Sequence, residues 1–169
     1  MKRGTVRFLL LDEVDSPILE GVTSLARTVL GVGTTIRTNL RCESGFDPTR
    51  GQWRAEAMLE RCVVPDASPD SYVVGLTSKD LYVPPLNFVF GLAVRERRVA
   101  IVSLHRLMEG GRETVVTRIA KETIHEVGHL EGLAHCRDER CVMWFSNTLT
   151  ETDRKSVEFC SECEARRYP

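Results

Sequence analysis

An α/β layer arrangement around a mixed β-sheet follows from three features of this 169-residue chain. Short apolar, β-branched runs alternate with stretches of helical apolar spacing through the first half. Two further strand-like runs then follow each other across a short charged turn, and two helical stretches close the chain. The resulting order, β-α-β-α-β-β-β-α-α, is the alternation that lays helices onto the faces of a sheet.

Thr5 to Leu11 is apolar and β-compatible and predicts the first strand. Ser16 reads as a helix cap with Pro17 at the first helical position. Ile18, Val22, Leu25, Ala26, Val29 and Leu30 continue at helical spacing until Gly31 and Gly33. Thr34 to Leu40 alternates as a second strand, Gly45 to Pro48 reads as a turn, and Arg50 to Cys62 carries helical periodicity through Trp53, Ala57, Met58 and Leu59. A loop over Pro65 to Pro69 precedes a buried strand, Tyr72 to Thr77. Asn87 to Val94 and Val99 to Leu104 predict two more strands, with Glu96-Arg97-Arg98 as the hairpin turn between them. Thr114 to Leu130 is a long helix whose buried side comprises Val115, Val116, Ile119, Ile124, Val127 and Leu130. Thr150 to Arg167 predicts a final helix carrying Cys160 and Cys163, with Thr150 and Asp153 as capping residues.

No internal repeat, low-complexity segment or linker divides the sequence, so residues 1–169 are expected to form a single domain. Residues 1–120 would supply the sheet and its backing helices, and 121–169 the metal-binding motifs. A chain of this size can bury roughly 70% of its unfolded surface. Its 42% hydrophobic and 28% charged residues are ordinary for a globular protein. The net charge of −1 lacks the basic excess that nucleic-acid binding needs, and Arg95, Arg97 and Arg98 read as solvated surface. The apolar run from Val6 to Leu11 is cut off by Asp12 and Glu13, too soon for a signal peptide, and no stretch is long enough to span a bilayer. The expectation is a cytoplasmic protein in which thiols stay reduced. Cys42 and Cys62 then read as small buried apolar residues.

The chemistry concentrates in residues 125–135, His-Glu-Val-Gly-His-Leu-Glu-Gly-Leu-Ala-His. His125 and His129 are four apart, so a helix projects both rings from one face toward a shared metal. Gly132 lets the chain leave the helix and bring His135 around as a third ligand. Three neutral imidazoles leave a tetrahedral zinc one open position, the mark of a catalytic site rather than a structural one. Glu126 is placed to take a proton there as general base. Cys136 and Cys141, then Cys160 and Cys163, follow as C-x4-C and C-x2-C, the two close thiol pairs of a closed structural zinc site. Two zinc ions per chain are expected. Met143 lies between the halves of that motif, and His105 is expected to be structural or exposed.

H-E-x-x-H-x-x-G-x-x-H followed by a methionine resembles the metzincin metallopeptidases, and the four-cysteine continuation resembles the archaemetzincins among them. Thr77, Asp80, Leu81, Tyr82 and Asn87-Phe88-Val89-Phe90-Gly91 are similar to that family too. The resemblance implies a twisted mixed sheet with one antiparallel edge strand, backed by helices. It implies a cleft between that strand and the metal helix, where a peptide or protein substrate adds as a strand. It also implies that Met143 packs beneath the metal, supporting the histidines without ligating. Some metzincins carry a tyrosine two residues after that methionine; here the position is Phe145, which has no hydroxyl. The expected activity is zinc-dependent peptide hydrolysis, aminopeptidase-like on short peptides. The alternative function class is a zinc-stabilised peptide-binding domain with little hydrolysis. A nucleic-acid module built on the four cysteines conflicts with the charge balance. Oligomeric state leaves no trace in the sequence.

Overall fold

In the computed structural model, residues 4–38, 44–64, 68 and 70–167 are described. A five-stranded sheet runs in the order β2-β1-β5-β8-β7, formed by β1 (Thr5–Leu10), β2 (Gly33–Thr38), β5 (Ser71–Thr77), β7 (Gly91–Val94) and β8 (Val99–Ser103). All neighbours are parallel except β7, which pairs antiparallel with β8 and forms one edge. The mixed sheet is the one the element order predicts, and the antiparallel edge strand is the one the resemblance implies.

Strand periodicity of two assigns the core to both faces of this sheet. Val6, Phe8, Leu10, Ala100 and Val102 pack with α1 (Ser16–Leu30) and α3 (Arg112–Leu130). Leu9, Leu11, Val99 and Ile101 face the other way, onto Ala55, Met58 and Leu59 of the short helix α2 (Ala55–Leu59). α3 crosses beneath β7 and β8, which places its histidines along the sheet's edge.

Four predicted elements differ, each for a tertiary reason. Only Ala55–Leu59 of Arg50 to Cys62 is α-helical, followed by a single 3-10 turn. Gln52–Arg54 instead forms β4, paired with β3 (Phe46–Asp47, predicted as a turn) and with β6 (Leu81–Tyr82). The Gln52 side chain there donates to Asp80 and to the Asn87 carbonyl, which outweighs the helical spacing of its neighbours. The strand predicted from Asn87 becomes regular only at Gly91, because Arg50 and Gln52 hold the Leu86 and Asn87 carbonyls out of the ladder. The predicted final helix is two helices, α4 (Leu149–Arg154) and α5 (Ser161–Arg166). Lys155 turns extended between them to send its amine inward, while the Val142 N–H donates to the Glu158 carbonyl and the Ser156 N–H to the Arg140 carbonyl, tying the connecting segment to residues 140–142.

Neither Thr150 nor Asp153 caps α4. Thr148 does, accepting from the Glu151 N–H while the Glu151 carboxylate accepts from Asn147 N and Thr148 Oγ1, a capping box. Ser16 is the first helical residue of α1, and Asp15 holds the cap position. Cys62 is buried as expected, His105 is exposed, and Leu40, Cys42 and Pro65 fall outside the described residues. Among the described residues no helix is long and apolar enough to cross a membrane.

Candidate metal centre

α3 carries His125 and His129 on one face, with their Nε2 atoms 3.0 Å apart. His125 Nδ1 lies 2.8 Å from the Val142 carbonyl, and His129 Nδ1 lies 2.8 Å from the Leu133 carbonyl. A carbonyl only accepts, so each Nδ1 carries the proton and each lone pair sits on Nε2. Burial depresses both imidazole pKa values, His125 most strongly, with Lys155 adding repulsion, so neither ring is disposed to protonate. Two lone pairs facing each other at 3.0 Å call for a bridging Lewis acid, and the donor set fits a zinc ion.

The third ring arrives through the turn after α3. Gly132 has φ +97, left-handed backbone that costs other residues strain, and the Arg95 guanidinium covers it so closely that a Cβ would sit within 2.9 Å. His135 follows, with its ring centroid 5.3 Å from that of His125 and 4.8 Å from that of His129. The candidate ligand atoms of the three histidines all lie within 4.8 Å of one another. Burial lowers the His135 pKa as well.

Glu126 is 5% exposed and points at the edge strand, its carboxylate resting on Gly91 where a side chain would clash. Burial, and repulsion from Glu122 one turn away, push its carboxyl up to about 8, against the pull of Lys155. A divalent cation beside it would draw that value back down. Met143 is fully buried and packs against Gly128, one residue before His129, so closely that any Cβ at 128 would overlap its sulfur. Phe145 flanks His135 at 5.1 Å between ring centroids. The three histidines, Glu126 and Phe145 border a cleft of about 380 Å³ whose lining also includes Val83, Leu86, Phe88 and Val89.

Cys136, Cys141, Cys160 and Cys163 form the second cluster, their sulfurs likewise within 4.8 Å of one another. Asp138 N donates to Cys136 Sγ, and Met143 N and Cys160 N donate to Cys141 Sγ, contacts suited to thiolates. Burial raises the Cys141 and Cys163 thiols, a tendency that a bound cation reverses. Cys136 N also donates to the Met143 carbonyl, so the cysteine cluster and the methionine turn share one hydrogen-bonded loop.

Sequence reasoning assigned no role to four residues of this centre. Gly91 and Gly128 each left a signal, an isolated glycine inside a strand or helix pattern, which marks close approach. Glu122 and its partner Lys155, 3.0 Å away with both groups buried, left none, since they meet across 33 positions of sequence.

Such a centre, at the antiparallel edge of a largely parallel sheet, defines a zinc metallopeptidase of the metzincin class. Residues 10–167 match peptidase family M54, and the chain belongs to that family, alongside the archaemetzincins. It is 47% identical over 121 residues to archaemetzincin of Methanopyrus kandleri, covering 72% of this chain and 69% of that one. Archaemetzincin of Archaeoglobus fulgidus is 41% identical over 131 residues, 77% of this chain and 76% of that one. The crystal structure of the M. kandleri protein superposes with a TM-score of 0.88 at 36% identity, covering 98% and 94% of the two chains. That of a zinc-dependent peptidase from Methanocorpusculum labreanum gives 0.87 at 29% identity, covering 96% and 99%.

Proposed function

We propose that this metallopeptidase hydrolyses peptides at His125, His129 and His135, with Glu126 as general base. The observation that carries the reading is the facing pair of Nε2 lone pairs, each fixed by a backbone carbonyl on the opposite ring nitrogen. A zinc ion held there supplies Lewis acidity, polarising a peptide carbonyl and lowering the pKa of water from 15.7 toward ~7. Glu126 takes the water proton and returns it to the departing amine. Gly132 and Met143 act through the rings, one by the turn that delivers His135, the other by packing. Phe145 has no hydroxyl to offer the developing oxyanion.

The substrate adds to the open edge of β7. Ser103 N donates to Phe90 O, which sets the ladder's phase and turns the N–H and C=O of Gly91 and Ala93 away from β8 toward the cleft. The modest cleft suits short peptides and the aminopeptidase-like action that the resemblance implies. The four cysteines hold a second, structural zinc, giving two per chain. Reduced thiols in such a site suit the cytoplasm, and a charge of −1 suits a protein without a nucleic-acid partner.

Glu126→Gln tests the assignment. The variant keeps its metal by mass spectrometry while cleavage of a peptide library falls about 10²–10⁴-fold. Turnover at the wild-type rate removes Glu126 from the mechanism.

A further inference from the structure

Two polar groups in the cleft have no part in the hydrolytic scheme. Glu122 lies one turn before Glu126 on α3, so both carboxylates border the same cavity. Its Oε1 accepts from Lys155 Nζ at 3.0 Å and from Thr152 Oγ1 at 3.2 Å. Lys155 is buried completely, outside the cleft lining, and cancels the charge of Glu122 from behind. Ser146 borders the cavity as well. It is 8% exposed, and its buried Oγ has no hydrogen-bond partner among the described residues.

The segment bearing Ser146 is braced on both sides. Lys155 Nζ donates to the Trp144 carbonyl at 3.3 Å just before it, and the capping box of Thr148 and Glu151 fixes Asn147 just after it. A buried hydroxyl held this way cannot relax toward a protein partner, so an incoming group that pairs it gains directly.

We propose that Glu122 and Ser146 form a side-chain subsite that selects a carboxamide, glutamine or asparagine, next to the cleaved bond. The inference rests on the peptidase reading above and names its substrate class. Elimination by charge and hydrogen bonding carries it. A cationic side chain finds Glu122 already neutralised by Lys155. An anionic one finds no Lys or Arg among the described lining residues, because Lys155 lies behind Glu122 and is paired with it. An aliphatic one leaves Ser146 Oγ buried and unpaired. A carboxamide donates its NH₂ to Glu122 and accepts from the Ser146 hydroxyl, while the apolar wall with Phe88 and Val89 takes its methylenes.

The test uses zinc-loaded protein and peptides that differ at one residue, Gln, Met, Lys or Glu, on either side of the cleaved bond. On one side kcat/KM for Gln should exceed that for Met by about tenfold or more, with Lys and Glu below both. Ser146→Ala should bring the Gln-to-Met ratio close to one. Affinities of the same peptides for the Glu126→Gln protein, read by fluorescence anisotropy, should follow the same order without any turnover. A Gln-to-Met ratio near one on both sides, or a ratio that survives Ser146→Ala, overturns the subsite. Cleavage without side-chain preference leaves the hydrolytic reading standing and the subsite refuted. Gln-selective binding with no cleavage of any peptide does the reverse.

Discussion

Adding one methyl group at Gly91 should disable hydrolysis while leaving fold and metal intact. A Cβ there would lie 2.5 Å from Glu126 Oε1, 2.7 Å from its Cγ and 2.8 Å from its Cδ. Carbon contacts are most favourable near 3.5–4.0 Å, so something must withdraw by about 1 Å. The edge strand cannot, because β7 is bonded to β8 along its length. The carboxylate can, being the far end of a flexible side chain. The backbone of Gly91 is not left-handed, so alanine is compatible with it, and a gain of ~0.4–1 kcal/mol through the unfolded chain offsets part of the cost of moving Glu126. A displacement of about 1 Å at a catalytic group costs on the order of 10²-fold, or ~2.7 kcal/mol of barrier. Gly91→Ala is therefore expected to lower kcat about 100-fold, with zinc content unchanged and a melting temperature close to that of wild type. Steady-state kinetics, metal analysis and a thermal melt on one preparation suffice. A kcat within about threefold of wild type would refute the idea that Glu126 works from its contact with the edge strand.

Lys155→Met should strand the Glu122 carboxylate in a site 3% exposed, destabilising the fold by about 3–5 kcal/mol and lowering Tm by roughly 6–20 °C. The double variant Lys155→Met, Glu122→Leu should recover most of that loss in the same calorimetric scan; a single variant as stable as wild type contradicts the pairing. Cys160→Ser should halve the metal count per chain, lower Tm by ~10 °C or more, and weaken catalysis through the loop that Cys136 N and the Met143 carbonyl share. Native mass spectrometry with a melt reads this, and wild-type Tm and activity would separate the two clusters.

The histidine cluster was legible because its members are local. His125 and His129 are set by one helical turn, and His135 by a glycine three residues after the second of them. The strands of the main sheet were legible for a similar reason, since two-residue periodicity is written within each strand. The errors share a cause as well. Gln52–Arg54 has helical spacing, yet its side-chain and backbone partners, Asp80 and Asn87, lie some thirty residues on. Thr150 to Arg167 reads as one helix until Lys155 is drawn into the core by Glu122 on α3.

By itself, then, the order of residues determined which three imidazoles and which neighbouring carboxylate would meet, because a helix and one turn suffice to bring those atoms together. Tertiary structure decided the surroundings of that chemistry. It decided that Glu126 rests on a glycine of the edge strand, that Met143 fills the space above Gly128, and that a charge-cancelled carboxylate and an unpaired hydroxyl border the cleft. Those contacts join segments far apart in the chain, and no local periodicity records which segments will meet.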